Sequence, residues 1–180
     1  MTMRSLESLT REIERIGFRC TGCGECCRSC SGDSDLVMVS PAEIARIATA
    51  RSMRPEEIAE PYPESIDLGN RTTLTFEWAL KRNDDRCTFL NGNRCTIYPD
   101  RPWICRTYPF MLDGDELRVY PCPGTGVGME RADAEEMARL LLARREAEEE
   151  EERRIQCVLQ SVSIPAGERV LIDGEGMKVL

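Results

Sequence analysis

The spacing of apolar residues in the first third of the chain predicts three helices. Over residues 4–17 the apolar positions recur every three or four residues, which is the period of an amphipathic helix. Ser40-Pro41-Ala42-Glu43 is a capping box with proline at the first helical position, so a second helix should begin there and end near Arg51. A third, shorter helix should begin near Pro55 and end before the prolines at 61 and 63.

Short runs of apolar and β-branched residues predict strands and tight hairpins. Residues 36–39 and 72–80 are expected to be extended, because they are rich in such residues and contain no helical period. Asn91-Gly92 lies between two short apolar runs, which is a strong hairpin signal. Two more hairpins are predicted, one turning at Asp113-Gly114 and one around residues 173–176.

The longest predicted element is a helix over residues 129–160, which contain neither glycine nor proline. Apolar side chains mark its two ends, whereas residues 144–154 are almost all charged and should form a solvated stretch. Together these elements predict an α+β fold. We expect a small, irregular cysteine-ligated domain of short hairpins and helices at 1–128, a long C-terminal helix at 129–160 and a terminal hairpin at 161–180.

The composition limits the kinds of catalytic and metal site that the chain can form, because it has 10 cysteines and no histidine. Without imidazole, a Ser-His-Asp triad, a Cys-His pair, a histidine-ligated zinc hydrolase and a histidine-ligated haem are excluded. The formal net charge of −8 argues against a nucleic-acid partner, which would need a basic face for phosphates. The sequence has no apolar signal region and no run of ~18 apolar residues, so we expect a cytoplasmic protein without a membrane partner. The sequence is compatible with an unidentified protein partner.

In the reducing cytosol, clustered cysteines bind metal more often than they form disulfides. Five of them fall between positions 20 and 30. A disulfide among these five would close a loop of only a few residues and contribute ~2 kcal/mol. A structural metal can contribute on the order of 10 kcal/mol or more to folding. Metal binding is therefore the favoured use of this cluster.

The densest motif is Cys20-Thr-Gly-Cys23-Gly-Glu-Cys26-Cys27, in which the C-x2-C spacing places sulfurs on one side of a tight loop. When Cys30 is counted, the spacing C-x2-C-x2-C-x3-C is that of a bacterial ferredoxin. Ser31 in place of the usual proline, the single copy and the additional Cys27 argue against a ferredoxin fold. Cys157 lies among apolar residues of the predicted long helix and is interpreted as a small buried hydrophobe.

Further motifs contain the other cysteines: Cys87-Thr-Phe-Leu90, Cys95-Thr-Ile-Tyr98, Arg101-Pro-Trp-Ile-Cys105-Arg-Thr-Tyr-Pro-Phe110 and Cys122-Pro-Gly. Together with Phe18–Cys27, these ordered motifs resemble the YkgJ-like cysteine-cluster family, which is named for its CxxCxxCC signature and is thought to chelate zinc or iron. The resemblance covers roughly residues 15–128. It implies eight metal ligands: Cys20, Cys23, Cys26, Cys27, Cys87, Cys95, Cys105 and Cys122.

The implied cofactor is an iron–sulfur cluster, of the [4Fe–4S] type, or zinc. Structural zinc sites usually have two separated C-x2-C pairs, whereas here only the N-terminal motif has short spacings, so iron–sulfur is favoured. Arginines directly flank five cysteines and would suit negatively charged thiolates. These arginines are Arg19, Arg28, Arg86, Arg94 and Arg106.

Three functions follow as hypotheses. The first is a metal-binding protein that acts in electron transfer, cluster handling or support of a partner. The second is a cluster-dependent enzyme such as a protein-lysine N-methylase, because the resemblance extends distantly to the flagellin lysine N-methylases. No S-adenosylmethionine loop is recognisable in the sequence. The third is a thiol-redox protein that uses Cys26-Cys27 or a C-x2-C pair.

Overall fold

The computed structural model describes residues 4–28 and 36–180. Over these residues the fold is mixed α+β, with one long helix near the C-terminus and a terminal hairpin, as the pattern predicts. The helices are α1 (Leu6–Ile16), α2 (Pro41–Arg51), α3 (Pro55–Ile58), α4 (Trp103–Thr107) and α5 (Arg131–Ser161). The strands are β1 (Met38–Val39), β2 (Ala59–Pro61), β3 (Ile66–Gly69), β4 (Thr72–Phe76), β5 (Trp78–Leu80), β6 (Arg82–Asn83), β7 (Arg86–Cys87), β8 (Leu90–Asn91), β9 (Arg94–Cys95), β10 (Phe110–Asp113), β11 (Glu116–Val119), β12 (Arg169–Asp173) and β13 (Gly176–Val179).

The chain forms two compact units, and each unit combines two segments of the sequence. The first unit consists of Met1–Asp35 and Asp84–Glu146, and the second of Leu36–Asn83 and Ala147–Leu180. Helix α5 therefore contributes residues to both. The division into three consecutive parts at 1–128, 129–160 and 161–180 stays a prediction.

In the first unit, α1 packs against the early part of α5 and the β10–β11 hairpin. Leu9 and Ile13 of α1 are fully buried together with Phe110 and Leu141. Each such side chain stabilises the fold by about 1.5–3 kcal/mol relative to an exposed position. Ser5 caps α1, since its side chain accepts a hydrogen bond from the Ser8 N–H at 3.2 Å.

The second unit is organised by a four-stranded sheet with the order β13-β12-β4-β3. Strands β12 and β4 are parallel, with Ile172 opposite Phe76, and the other neighbours are antiparallel. Val170 and Ile172 are buried, and Ile155 and Val158 of α5 pack against them. The predicted terminal hairpin is confirmed as β12–β13, and its first strand is an inner strand of the sheet.

In the second unit, one predicted element forms as expected and another is interrupted. Ser40 and Glu43 form the predicted capping box: the Ser40 N–H donates to the Glu43 carboxylate at 3.0 Å, and the Glu43 N–H donates to Ser40 Oγ at 3.4 Å. The extended run at 72–80 is interrupted at Glu77, whose φ is +68°. Because of this break, β4 and β5 belong to different sheets.

Helix α5 is charged along its middle, as predicted, with surface ion pairs such as that between Glu150 and Arg154 at 2.9 Å. Arg144 is an exception, because it is buried and donates to Thr107 Oγ1 at 3.0 Å.

The prediction that Cys157 is buried is wrong. Ile155 and Val158 define the packed face of the helix, and Cys157 lies between them on the exposed side. None of the helices in the described residues combines the length and the apolar run that a membrane crossing needs.

Candidate metal centre

The first cysteine motif is anchored by the segment that precedes α5. The Arg19 N–H donates to the Gly124 carbonyl at 2.9 Å, and the Gly126 N–H donates to the Gly17 carbonyl at 3.1 Å. The two backbones approach so closely that a Cβ at Gly124 would lie 2.1 Å from the Arg19 oxygen, so only glycine fits there. This pairing brings the Cys122 segment alongside the residues that lead into the motif.

Arg28 attaches the other end of the motif to the β8–β9 hairpin. Its guanidinium donates to the Cys23 carbonyl at 3.0 Å, to the Gly92 carbonyl at 3.0 Å and to Asn93 Oδ1 at 2.6 Å. Gly92 and Asn93 form the turn between β8 and β9. Because β9 ends at Cys95, this clamp holds the hairpin cysteine close to the first motif.

The remaining cysteines of the site come from short, well-anchored elements. Cys87 ends β7 and is buried, as is Phe89 two residues later. The Thr96 N–H donates to the Phe89 carbonyl at 2.8 Å, which closes the hairpin that presents Cys95. Cys105 lies in the middle of α4, a single short helix.

Five thiols from these elements converge, and we call them the five-thiol cluster: Cys26, Cys27, Cys87, Cys95 and Cys105. Side-chain hydrogen bonds join Cys27 to both Cys26 and Cys95. Cys87, Cys26 and Cys95 all raise the pKa of Cys105 through electrostatic interaction. Residues that are far apart in the sequence therefore share one neighbourhood, and all five belong to the predicted ligand set.

The thiols of this cluster differ in how readily they lose a proton. Hydrogen bonding from Cys27, helped by the positive charge of Arg101, lowers the pKa of Cys26 to about 7 even though burial opposes the shift. The same hydrogen bond, together with the one to Cys95, raises the pKa of Cys27. Burial is the main reason that the pKa of Cys105 is raised. Of these three thiols, Cys26 is thus the one that most readily becomes a thiolate, the form that binds metal.

The other three predicted ligands, Cys20, Cys23 and Cys122, lie beside the cluster, and we call them the outer thiols. Burial raises the pKa of Cys122, and the neighbouring Cys23, Cys26 and Cys20 raise it further. The Gly124 N–H donates to Cys122 Sγ at 3.5 Å. Cys20 is exposed, whereas Cys23 and Cys122 are partly buried. The two groups of thiols are adjacent, since Cys26 acts on members of both.

The cysteine side chains of the site are suitable ligands for a thiophilic metal. Thiolates are the ligands of structural zinc and of iron–sulfur clusters, and the nine cysteines in the described residues are all free of disulfides. As the side chains are positioned, no group of three or more cysteine, aspartate or glutamate residues within 4–28 and 36–180 is arranged to hold an ion. Ligation requires the thiol protons to leave, so the thiol–thiol hydrogen bonds of Cys27 would have to give way to metal bonds.

Two predictions concern individual residues near the cysteines. Cys30, which completes the ferredoxin-like spacing, lies outside the described residues. Five arginines were predicted to act on the sulfurs because they flank cysteines, but the arginine whose charge helps to lower the pKa of Cys26 and opposes the rise in the pKa of Cys105 is Arg101, which flanks none. Arg101 precedes α4, so the available signal was only that it opens the motif that contains Cys105, four residues before that cysteine.

Comparison with solved structures gave no match for this chain. The model of the CxxCxxCC family, a proposed zinc- or iron-chelating domain, matches residues 19–125. The match spans more than half of the chain and contains the five-thiol cluster and the outer thiols, whereas Cys157 lies beyond it. The chain therefore belongs to the CxxCxxCC family.

Proposed function

We propose that the five-thiol cluster binds iron as an iron–sulfur cluster of the [4Fe–4S] type. The observation that carries this proposal is the convergence of five thiols from the first motif, β7, β9 and α4. A [4Fe–4S] cluster is commonly held by four cysteine thiolates, so the five-thiol cluster has enough donors. The protein would then act in electron transfer, cluster handling or structural support of a partner in the cytoplasm.

The spacing of the cysteines favours iron–sulfur over zinc. Structural zinc sites commonly use two C-x2-C pairs, or such a pair with histidines. This chain has no histidine, and beyond Cys30 its cysteines stand singly, at 87, 95, 105, 122 and 157. Iron–sulfur proteins do combine one dense motif with a distant single cysteine. Zinc stays the second candidate ion because the family description includes it.

The residues around the thiols have distinct tasks in this proposal. Phe89 and Ile97, only 6% and 2% exposed, follow Cys87 and Cys95 by two residues and anchor the backbone at each cysteine in the interior. Arg28 fixes the first motif against the hairpin. When bound, the cluster supplies one-electron redox chemistry. The chain's own residues orient the thiolates.

Thiol–disulfide exchange is a second candidate function, and one observation favours it. The pKa of Cys26 is lowered to about 7, and its neighbour Cys27 is within hydrogen-bonding distance. A thiol whose pKa lies near the ambient pH is the most effective attacking group in exchange reactions. This function predicts a two-electron thiol couple in a protein that carries no metal.

Purification under argon, followed by analysis of iron, acid-labile sulfide and zinc, distinguishes these functions. We expect a brown protein with iron and sulfide in the wild type and equally in Cys157→Ser, the matched control for an exposed cysteine outside the family match. A colourless protein with stoichiometric zinc and no iron would show that the bound metal is zinc and not iron. A metal-free protein with a two-electron thiol titration would contradict metal binding and favour exchange.

A further inference from the structure

Arg101 is held by three contacts between two cysteine-bearing segments. Its Nε donates to the Tyr98 carbonyl at 2.9 Å, and its Nη1 donates to the Cys105 carbonyl at 3.2 Å. Its guanidinium carbon also lies 3.6 Å from the centre of the Tyr98 ring. A planar guanidinium with two carbonyl acceptors and an aromatic face has little freedom to move, so the position of this charge is well defined.

These contacts place the cation beside the five-thiol cluster. Tyr98 follows Cys95 by three residues, and Cys105 is itself a member of the cluster, so the guanidinium bridges the backbones of two ligand segments. The positive charge of Arg101 also favours the thiolate form of Cys26 and opposes the rise in the pKa of Cys105, which agrees with this placement.

Other arginines near the cysteines are engaged differently. Arg28 lies 3.5 Å from the Glu25 carboxylate, which offsets part of its charge. Arg106 directly follows Cys105, but its guanidinium is placed over the Trp103 ring at 5.0 Å from the ring centre. Arg106 is therefore a suitable control for Arg101, since both belong to the same short segment.

We propose that Arg101 compensates the negative charge of a metal–thiolate centre in the five-thiol cluster. This inference rests on the metal-binding function proposed above. Four thiolates around Zn²⁺ or a [4Fe–4S]²⁺ core leave a net charge near −2, so a fixed cation beside them stabilises the loaded protein. Arg101 is a positioning residue and not a ligand, because its guanidinium stays protonated and has no lone pair to donate.

The test compares Arg101→Gln, Arg101→Lys and Arg106→Gln with the wild type. Cd²⁺ alone serves as the probe: it is titrated under argon into the full chain, freed of metal beforehand, in competition with a chelator. The thiolate-to-cadmium charge-transfer band reports binding. We expect Arg101→Gln to bind Cd²⁺ about 10–100-fold more weakly, the usual range for loss of a residue that supports the ligands. Arg106→Gln should bind as the wild type does.

Arg101→Lys separates charge from geometry, because lysine keeps the positive charge but loses the planar fork and the ring stacking. We expect it to recover most of the lost affinity, and we expect added salt to narrow the gap between wild type and Arg101→Gln. Equal Cd²⁺ affinity of wild type and Arg101→Gln would overturn the inference and leave metal binding intact. A lysine variant as weak as the glutamine variant would also overturn it. Failure of the wild type to bind Cd²⁺ would instead contradict the proposed function.

Discussion

Asn93 accepts a hydrogen bond of 2.6 Å from Arg28, although 65 positions separate the two residues in the sequence. Arg28 directly follows Cys27, and Asn93 lies two residues before Cys95. The contact therefore sets the distance between two segments that contribute to the five-thiol cluster. Because this contact lies outside the thiols, it can be removed by mutation while every candidate ligand is kept.

Arg28→Gln should destabilise the first unit and weaken metal binding. The substitution removes charged hydrogen bonds to Cys23, Gly92 and Asn93, and we expect a loss of about 1–3 kcal/mol in the free energy of unfolding. Urea unfolding under reducing conditions measures this. Arg94→Gln is the control, because Arg94 is exposed and also flanks a cysteine. Equal stability of the two variants would show that the clamp has no energetic role.

Gly124→Ala should displace the Cys122 segment from the first motif. The added Cβ would lie 2.1 Å from the Arg19 oxygen, and relief of this clash should cost about 1–3 kcal/mol of stability. Cys122 should also be alkylated faster in the variant, which mass spectrometry of iodoacetamide-treated protein would detect. Gly128→Ala is the matched control, because a Cβ there meets no atom within 4 Å. Unchanged stability and alkylation in Gly124→Ala would contradict the tight pairing.

Glu77→Gln should stabilise the second unit at neutral pH. Glu77 is exposed as a residue, but partial desolvation of its carboxyl group and the nearby charges of Glu148 and Glu151 raise its pKa, so the folded protein binds the carboxyl proton more tightly than the unfolded chain does. Folding stability therefore falls as the pH rises through the raised pKa, and the ionised carboxylate opposes folding at pH 7. The gain from the glutamine variant should shrink on acidification and vanish below the ordinary carboxyl pKa.

Thermal unfolding at several pH values measures this effect, with Glu168→Gln as the control at another exposed glutamate of the second unit. If Glu77→Gln were no more stable than the wild type at pH 7, or if its gain persisted in acid, the assignment of an unfavourable charge at Glu77 would be wrong.

Local signals in the sequence were sufficient to predict most of the helices and hairpins. The Ser40–Glu43 capping box begins α2, and Asn91-Gly92 marks the turn region of the β8–β9 hairpin. In these cases a few neighbouring residues determine both the backbone conformation and its hydrogen bonds, so no tertiary information is needed.

Non-local relationships could not be predicted in the same way. The parallel pairing of β12 with β4 depends on which surfaces meet after folding, and the periodicity of either strand contains no information about its partner. The break at Glu77 was also missed, because nothing in the run 72–80 resembles a turn signal.

At the candidate site, residue type and spacing identified the cysteines, whereas the contacts among them came only from the structure. The role of Arg101 was missed because it acts through contacts to Tyr98 and Cys105, and not by adjacency to a cysteine in the sequence. Flanking position was therefore a poor guide to which arginine acts on the thiols.

The most direct test of the central claim is the metal content per chain of Cys95→Ser and Cys105→Ser, purified under argon beside Cys157→Ser and the wild type. If the two cysteines bind one shared centre, each single substitution should remove most of the metal, while Cys157→Ser should keep the wild-type amount. Circular dichroism would verify that the variants are folded. Full metal content in both Cys95→Ser and Cys105→Ser would contradict a shared centre built from the five-thiol cluster.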